Sequence, residues 1–325
     1  MTKRDIVFFT TSKSGLGHLR RSSTIARAIR QQDPERRLRL VTNAPPEGLE
    51  PADLAAFHQI HVAEKADMAP LLGDGSTAVL DTMNLAELEG RGGPRVLVLR
   101  ETNPGQMDRF VPTAQPWDSV IIANPANHWL PDMPKHSARQ ITPVGWIYRL
   151  TAKDQVTVQD RPHLLIATGG GGTADTAQAL YQQIAAVLAA IHAKGAPGFD
   201  IVQAIGPRAA GFGRIAGVTH SVDPGGALNS LFQQADAVIS TAGYNSVLEL
   251  ATTDTPTLLV AIPRSIDDQE ARARHWARDL GMHLTAPQQA ADWLVDVLMR
   301  RARRAPVDLG QSGEGTAARV ILGLG

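Results

Sequence analysis

The chain has 325 residues, of which 43% are hydrophobic and 20% are charged, and its 32 basic and 32 acidic side chains give a formal net charge of zero. This length suits two domains, and the balanced charge offers no global field that would attract nucleic acid. The absence of cysteine excludes disulfides, thiol catalysis and cysteine-bound metal. With no signal-peptide pattern and no apolar run long enough to cross a bilayer, we expect a cytoplasmic protein.

Apolar strand-like runs alternate with helical patterns, which predicts an α/β protein with parallel sheets. The predicted strands are 5–11, 38–42, 59–63, 77–81, 95–100, 119–124, 163–168, 200–205, 218–222, 237–241 and 257–261. The clearest predicted helices are 19–31, 173–192 and 316–322. A polar, irregular stretch near 150–158 separates the two halves.

We therefore predict a domain at 1–150, a second domain at 151–310, and a helical tail at 311–325 that packs back on the first domain. Two doubly wound domains would leave a cleft between them. In such sheets, ligands bind beyond the carboxyl ends of the strands, so the loops after the predicted strands carry the candidate site residues.

A glycine-rich loop follows the first predicted strand and reads Gly15-Leu-Gly17-His18-Leu-Arg20. It lacks the Walker spacing and the third glycine of the dinucleotide-binding fingerprint. The turn places His18 at a helix start, where an imidazole can act as a general base or donate to a phosphate. The alternative is a histidine that caps the helix or supports the loop. Arg20 faces either an anionic ligand or solvent.

A run of four glycines, Gly169 to Gly172, joins the strand 163–168 to the helix 173–192. Glycine permits a tight turn with positive φ and removes side chains that would block a ligand. The helix start then offers free N–H groups and a partial positive charge. The pattern predicts a diphosphate site, and an ordinary flexible turn is the alternative.

A second strand–turn–helix pattern covers 237–250 and contains Gly243, Ser246 and Glu249. Gly243 allows a ligand to approach the helix start closely. Ser246 and Glu249 are three residues apart and share one helical face. A carboxylate there suits ribose hydroxyls, whereas a capping pattern with a surface glutamate is the alternative.

Polar side chains also follow two other predicted strands. Asp268 and Gln269 lie at the predicted start of a helix. Their side chains either contact sugar hydroxyls or belong to the N-terminal cap of that helix. Arg100 and Glu101 are candidates for acceptor-side contacts, with an ion pair as the alternative. The basic run 300–304 allows a peripheral contact with anionic lipid or simply ends a helix in solvent. No metal-ligand spacing occurs, so we expect no bound metal.

In their order and spacing, these motifs resemble the GT-B glycosyltransferases, and within them glycosyltransferase family 28. The resemblance covers nearly the whole chain and implies two Rossmann-like, doubly wound domains that face each other across a cleft. It implies that domain 1–150 binds the acceptor and that domain 151–310 binds a nucleotide sugar. His18 matches the family's histidine near the reacting centre and the acceptor.

The resemblance also implies positions for the donor's phosphates. The phosphate-side residues would be Gly170, Gly171, Gly172, Gly243, Asn245 and Ser246. Gly15 and Gly17 belong to the same nucleotide-sugar site.

For the rest of the donor, the resemblance implies that Glu249 takes the ribose hydroxyls and that Gly206 borders the base. Asp268 and Gln269 would take the sugar hydroxyls. The chain departs from the family at the four-glycine loop and in the residues after Gln269. For this reason, neither the family's sugar nor its lipid acceptor is carried over.

The predicted function is transfer of a sugar from a nucleotide diphosphate sugar, with UDP as the expected nucleotide, to a hydroxyl or amine of a small or lipid-linked acceptor. We expect inversion at the anomeric carbon, His18 as the base, and neither metal nor other cofactor. A nucleotide-sugar hydrolase of the same fold and a non-catalytic nucleotide-sugar-binding protein are the alternatives. A dehydrogenase is disfavoured, because no third glycine follows Gly15 and Gly17.

Overall fold

A computed structural model describes residues 4–12, 15–46, 49–149, 160–169, 174–195, 198–206, 209–224 and 228–324. The chain forms two compact units. The first unit comprises Met1–Arg149, Ser265–Asp267 and Gly310–Gly325, and the second comprises Leu150–Arg264 and Asp268–Leu309.

The described part of the first unit contains a seven-stranded parallel sheet. Its strands are β1 (Ile6–Thr10), β2 (Leu38–Thr42), β3 (Gln59–Val62), β4 (Thr77–Asp81), β5 (Arg95–Leu99), β6 (Ser119–Ile122) and β7 (Ile141–Pro143). The strand order is β3-β2-β1-β4-β5-β6-β7. The order of connection reverses between β1 and β4, so the loops after these two strands flank the switch point where open α/β sheets bind ligands.

The described part of the second unit contains a six-stranded parallel sheet. Its strands are β8 (His163–Ala167), β9 (Asp200–Ala204), β10 (His220–Val222), β11 (Ala237–Thr241), β12 (Thr257–Val260) and β13 (Gly281–His283). The order β10-β9-β8-β11-β12-β13 puts the switch point between β8 and β11. The glycine-rich loops identified in the sequence follow these two strands.

Helices cover both sheets. The α-helices are α1 (Gly17–Gln32), α2 (Pro51–Leu54), α3 (Ala174–Ala193), α4 (Leu228–Gln234), α5 (Tyr244–Ala251), α6 (Gln269–Leu280), α7 (Pro287–Arg300) and α8 (Glu314–Leu322). Among the described residues, none of these helices is both long and apolar enough to cross a bilayer.

The strands explain where each core lies. All five residues of β1 and all five of β11 are buried, as expected for central parallel strands that are covered on both faces. In the first unit, Phe9, Leu97 and Phe110 belong to one apolar cluster. In the second unit, α3 and α7 cover the sheet, and their buried faces join one cluster with Leu164 and Ile239.

The predicted fold class, two doubly wound α/β sheets, is confirmed. The strands predicted at 38–42, 77–81 and 237–241 have those bounds in the structure. The sequence prediction missed β7 and β13, which are edge strands of three residues and therefore too short for a periodic signal. The predicted strand 218–222 was too long, since β10 begins at His220.

The basic run 300–304 makes most of its contacts within the second unit. Arg303 Nη1 donates to the carbonyl of Ala235 at 2.9 Å, and Arg304 Nε donates to the carbonyl of Thr255 at 3.1 Å. Burial lowers the pKa of Arg304 to about 10, although the nearby carboxylates act in the opposite direction. Arg304 Nη2 also donates to the carbonyl of Leu250 near the end of α5. Arg300, at the end of α7, is exposed and pairs with Asp296.

Gly313 packs the tail of the chain against the first unit. A Cβ atom at this position would lie 2.4 Å from the carbonyl oxygen of Val144, and the Gly313 N–H donates to Trp146 O at 2.7 Å.

We expect Gly313→Ala to lower the free energy of unfolding by roughly 1–3 kcal/mol through overpacking, measured by urea unfolding. Gly315→Ala is the matched control, because a Cβ at Gly315 would lie 3.8 Å from Gln32 Nε2, which is an ordinary van der Waals distance. Equal urea midpoints for Gly313→Ala and wild type would contradict this packing.

Candidate functional site

The first unit brings His18 and Asp81 together beside the switch point of its sheet. His18 is in the first turn of α1, which follows β1, and Asp81 is the last residue of β4. Because β1 and β4 are neighbours in parallel register, with Thr10 opposite Asp81, both side chains lie at the same edge. His18 Nδ1 is 2.8 Å from Asp81 Oδ1.

The Asp81 carboxylate is buried and has several donors. Arg21 contacts both oxygens, with Nε donating to Oδ2 at 3.0 Å and Nη2 donating to Oδ1. Thr82 Oγ1 donates to Oδ1 at 3.0 Å, and Ser22 Oγ lies 3.4 Å from Oδ2. Since His18, Arg21 and Ser22 are spaced i, i+3 and i+4, a single face of α1 supplies three of the four partners.

These contacts keep Asp81 ionised. Burial alone would raise the pKa of Asp81, but the positive charge of Arg21, the charge of His18 and their hydrogen bonds lower it to about 2. The buried group is therefore a carboxylate at neutral pH. A carboxylate beside Nδ1 favours the proton on that nitrogen, and the lone pair then remains on Nε2.

A histidine oriented in this way can remove a proton from a hydroxyl, an amine or a water molecule. The His18 side chain is 26% exposed, whereas Asp81 is inaccessible. The exposed member of the pair is thus the one that can touch a substrate. Asp81 would act through it by stabilising the imidazolium that forms.

The remaining residues of the first glycine loop lie where the sequence predicts them. Gly15 precedes the helix and its N–H donates to Ser12 Oγ at 3.2 Å, and Gly17 is the first residue of α1. The Arg20 side chain is half-buried, and its backbone carbonyl accepts from Arg149 Nη2 at 3.2 Å.

In the second unit, α5 starts directly after β11, and Gly243 is its N-cap residue without a side-chain capping bond. A Cβ at Gly243 would lie 3.6 Å from Ser246 Oγ, so this hydroxyl lies beside the helix start. Glu249 is one turn further along and is 7% exposed. A hydroxyl and a carboxylate therefore follow this helix start on one face, as the sequence predicts.

Other predicted donor residues have varied surroundings. Asn245 is in the first turn of α5, and Gly206 follows β9, with its carbonyl accepting from Ala209 N at 2.9 Å. Gly169 adopts a positive φ of 59° after β8. The three predicted phosphate-binding glycines that follow it, Gly170, Gly171 and Gly172, lie outside the described residues.

The two residues predicted to meet the sugar both have structural hydrogen bonds. Asp268 is the N-cap of α6, and its Oδ1 accepts from Ala271 N at 2.9 Å. Gln269 is buried, and its Oε1 accepts from Ile262 N at 3.2 Å. The capping alternative raised by the sequence is therefore realised at Asp268.

Arg100 and Glu101, predicted as acceptor-side candidates, bind protein groups within the first unit. Arg100 Nη1 donates to Asp267 Oδ1 at 2.7 Å. Glu101 Oε2 accepts from Asn124 Nδ2 at 2.8 Å, and Asn124 Oδ1 accepts from Glu101 N at 3.0 Å. The ion-pair alternative is therefore realised at Arg100.

Comparison with known protein families finds a match in the second unit. Residues 165–306 match the sequence family described as the glycosyltransferase family 28 C-terminal domain. The match spans most of the second unit. That match confirms the resemblance seen in the sequence and includes β11, α5 and α6. Among curated proteins, no sequence matches the chain.

Solved glycosyltransferases share the fold along the whole chain. CalG4, the calicheamicin glycosyltransferase, has 17% identity and a TM-score of 0.58, with 99% of each chain covered. MurG of Acinetobacter baumannii has 17% identity and a TM-score of 0.51, with 98% of each chain covered. A UGT transferase from Siraitia grosvenorii, solved with UDP, has 12% identity and a TM-score of 0.57, covering 99% of this chain and 100% of its own.

The chain therefore has the GT-B fold, and its residues 165–306 resemble the C-terminal domain of glycosyltransferase family 28. The sequence analysis singled out His18 but did not identify Asp81, the carboxylate that contacts it. The available signal for Asp81 was a single carboxylate at the end of an otherwise apolar strand, Thr-Ala-Val-Leu-Asp. Such a residue lies at the ligand-binding edge of a parallel sheet.

Proposed function

We propose that this protein transfers a sugar from a nucleotide diphosphate sugar to a hydroxyl or amine acceptor, with His18 as the general base. The observation that carries the proposal is the His18–Asp81 pair in a chain with the GT-B fold and a family 28 C-terminal domain. A partly exposed imidazole that is oriented by a buried carboxylate is well suited to general-base catalysis.

On the donor side, we propose that the start of α5 receives the diphosphate. The uncapped helix start at Gly243, with Ser246 Oγ beside it, supplies N–H donors and a partial positive charge for an anion. Asn245, together with Gly170, Gly171 and Gly172, is assigned to the same phosphates by the family resemblance.

We propose UDP as the nucleotide, which agrees with the UDP bound to the Siraitia grosvenorii transferase of the same fold. In this proposal Glu249 binds the ribose, Gly206 borders the base, and Asp268 and Gln269 contact the sugar.

The proposed reaction is a single displacement at the anomeric carbon. The acceptor oxygen or nitrogen attacks that carbon while His18 Nε2 takes its proton, and the bond from the anomeric carbon to the diphosphate oxygen breaks. One displacement inverts the anomeric configuration. Charge that develops on the departing diphosphate is stabilised by N–H groups and the α5 dipole, so the proposed mechanism requires no metal and no other cofactor.

Two alternatives share the same site. A hydrolase would use His18 to activate water, and a non-catalytic protein would bind the nucleotide sugar without turnover. The discriminating experiment incubates the protein with a panel of nucleotide sugars in the absence of acceptor. Donor binding and release of nucleoside diphosphate are measured together, with wild type and His18→Ala.

Tight binding of one donor with negligible release supports either a transferase that awaits its acceptor or the non-catalytic binding protein. Adding acceptors separates these two, because only the transferase then releases nucleoside diphosphate. Rapid release that depends on His18 supports the hydrolase. If no nucleotide sugar binds, the transferase, the hydrolase and the binding protein are all wrong. The cytoplasmic location and the contacts with acceptor or membrane stay predictions.

Glu249 provides a sharper test of the donor site. We expect Glu249→Gln to weaken UDP binding about tenfold or more, because a charge-assisted hydrogen bond to a ribose hydroxyl is lost. Isothermal titration calorimetry with UDP and with 2′,3′-dideoxy-UDP isolates this contact, because the dideoxy ligand lacks both ribose hydroxyls. The dideoxy ligand should bind wild type and variant equally. An equal loss for both ligands would show that Glu249 does not bind the ribose.

A further inference from the structure

Arg21 is the neighbour of the candidate base that the proposed chemistry leaves without a role. Its side chain is almost fully buried, at 1% exposure, so it is poorly placed to meet a diffusing ligand. It donates hydrogen bonds to Asp81 and Thr82, and its Nη2 lies 3.3 Å from His18 Nδ1. A buried arginine that donates to a carboxylate through two nitrogens forms a bidentate pair, which fixes the orientation of the carboxylate.

The two Arg21 contacts and the two neighbouring hydroxyls fix both oxygens of Asp81. Oδ2 meets Arg21 Nε at 3.0 Å and Ser22 Oγ at 3.4 Å. Oδ1 meets Arg21 Nη2 and Thr82 Oγ1 as well as His18 Nδ1. Rotation of the carboxylate would break several of these bonds at once, so Oδ1 stays directed at the histidine.

The same geometry decides which nitrogen of His18 carries the proton. Arg21 Nη2 has two hydrogens, and its acceptors are Asp81 Oδ1 and, at 3.0 Å, Thr82 Oγ1. His18 Nδ1 is further from Nη2, at 3.3 Å, than from Asp81 Oδ1, at 2.8 Å. Nδ1 is therefore best satisfied as a donor to Asp81, which leaves the lone pair on Nε2.

We propose that Arg21 is a positioning residue, which holds Asp81 so that His18 is fixed in the tautomer with the proton on Nδ1 and the lone pair on Nε2. Arg21 touches neither donor nor acceptor in this account. Its effect on catalysis rests on the proposed function of His18, whereas its effect on the tautomer does not.

The test uses the full-length protein labelled with ¹⁵N-histidine. NMR reports the tautomer of His18, whose signals are assigned by their loss in His18→Gln. We expect the Nδ1–H tautomer in wild type and a mixture of tautomers in Arg21→Lys, which keeps the charge but loses the bidentate grip. Arg27→Lys is the matched control on the same helix, where Arg27 pairs with Asp53, and it should keep the wild-type tautomer.

A kinetic measurement extends the test once a donor and an acceptor are known. Loss of an outer residue that orients a histidine costs about 10- to 100-fold in metal sites, and we expect a fall of that order in kcat for Arg21→Lys, with donor KM unchanged. Guanidinium ion added to Arg21→Ala should restore part of the rate. If Arg21→Ala does not fold, the kcat and donor KM of Arg21→Lys alone test the positioning role.

The two proposals fail in different ways. If Arg21→Lys keeps the Nδ1–H tautomer, the positioning role is wrong, whatever the protein catalyses. If the tautomer depends on Arg21 but wild type neither binds nor consumes any nucleotide sugar, the positioning role stands and the proposed function is wrong.

Discussion

Replacing His18 with alanine is expected to lower kcat for sugar transfer by about 10²- to 10⁴-fold, which is the usual contribution of a positioned general base. The fold should survive, because Arg21 still neutralises the buried Asp81 carboxylate. Donor binding should change little, since the residues proposed to bind the diphosphate, the ribose and the sugar are in the second unit. Steady-state kinetics and donor titration of the purified variant measure both quantities.

His136→Ala is the control for this variant, since His136 is exposed and lies in a separate short helical turn. It should keep wild-type kcat. A His18→Ala protein that transfers sugar at the wild-type rate would show that His18 is a loop-supporting residue, which is the alternative that the sequence leaves open.

Replacing Asp81 with asparagine is expected to have the largest effect on stability. The change removes the negative partner of Arg21, whose side chain is 1% exposed, and leaves a buried cation uncompensated. Breaking a buried pair in this way costs about 3–5 kcal/mol. Urea unfolding at neutral pH measures the loss. Asp296→Asn is the control, because its exposed pair with Arg300 contributes only about 0.5 kcal/mol, and equal losses for both variants would contradict the account.

The same carboxylate gives the wild-type protein a distinct acid dependence. The folded-state pKa of Asp81, about 2, is lower than its ordinary value of 3.8. Its contribution is therefore fully present above about pH 4 and is lost as the pH falls towards 2. At about 1.4 kcal/mol per pKa unit, the contribution is about 2 kcal/mol. When the free energy of unfolding is measured at pH 7, 4 and 3, Asp81→Asn should lack this part of the acid dependence. An identical dependence on pH in variant and wild type would contradict the lowered pKa of Asp81.

Much of the fold follows from local sequence pattern. Central strands such as β4 and β11 are short apolar runs between polar loops, and α1 and α3 each follow a glycine-rich loop. Both features are visible in one window of sequence. The short edge strands β7 and β13 depend on pairing with β6 and β12, and pairing partners are not encoded in any single window.

The site was partly predictable for the same reason. Gly15, Gly17 and His18 form one local motif, so the sequence predicts a histidine at a helix start. The contact between His18 and Asp81 joins residues that are 63 positions apart. It depends on β4 lying beside β1, and no property of either segment alone reveals that neighbour.

Some predicted contacts also have competing local partners. Asp268 caps its own helix and Arg100 pairs with Asp267. The sequence contains both partners of each pair, but only the folded backbone shows that they meet. Polar residues after a strand are thus good candidates for a site, while their individual roles require the structure.

The most direct test of the account is a transfer assay with the donor that binds best. Wild type and His18→Ala are incubated with that nucleotide sugar and with phenol, alcohol and amine acceptors, and products are identified by mass spectrometry and by NMR of the anomeric proton. The account predicts a glycoside of inverted anomeric configuration whose formation depends on His18. Free sugar as the only product, a retained configuration, or a donor that stays bound and unchanged with every acceptor would contradict it.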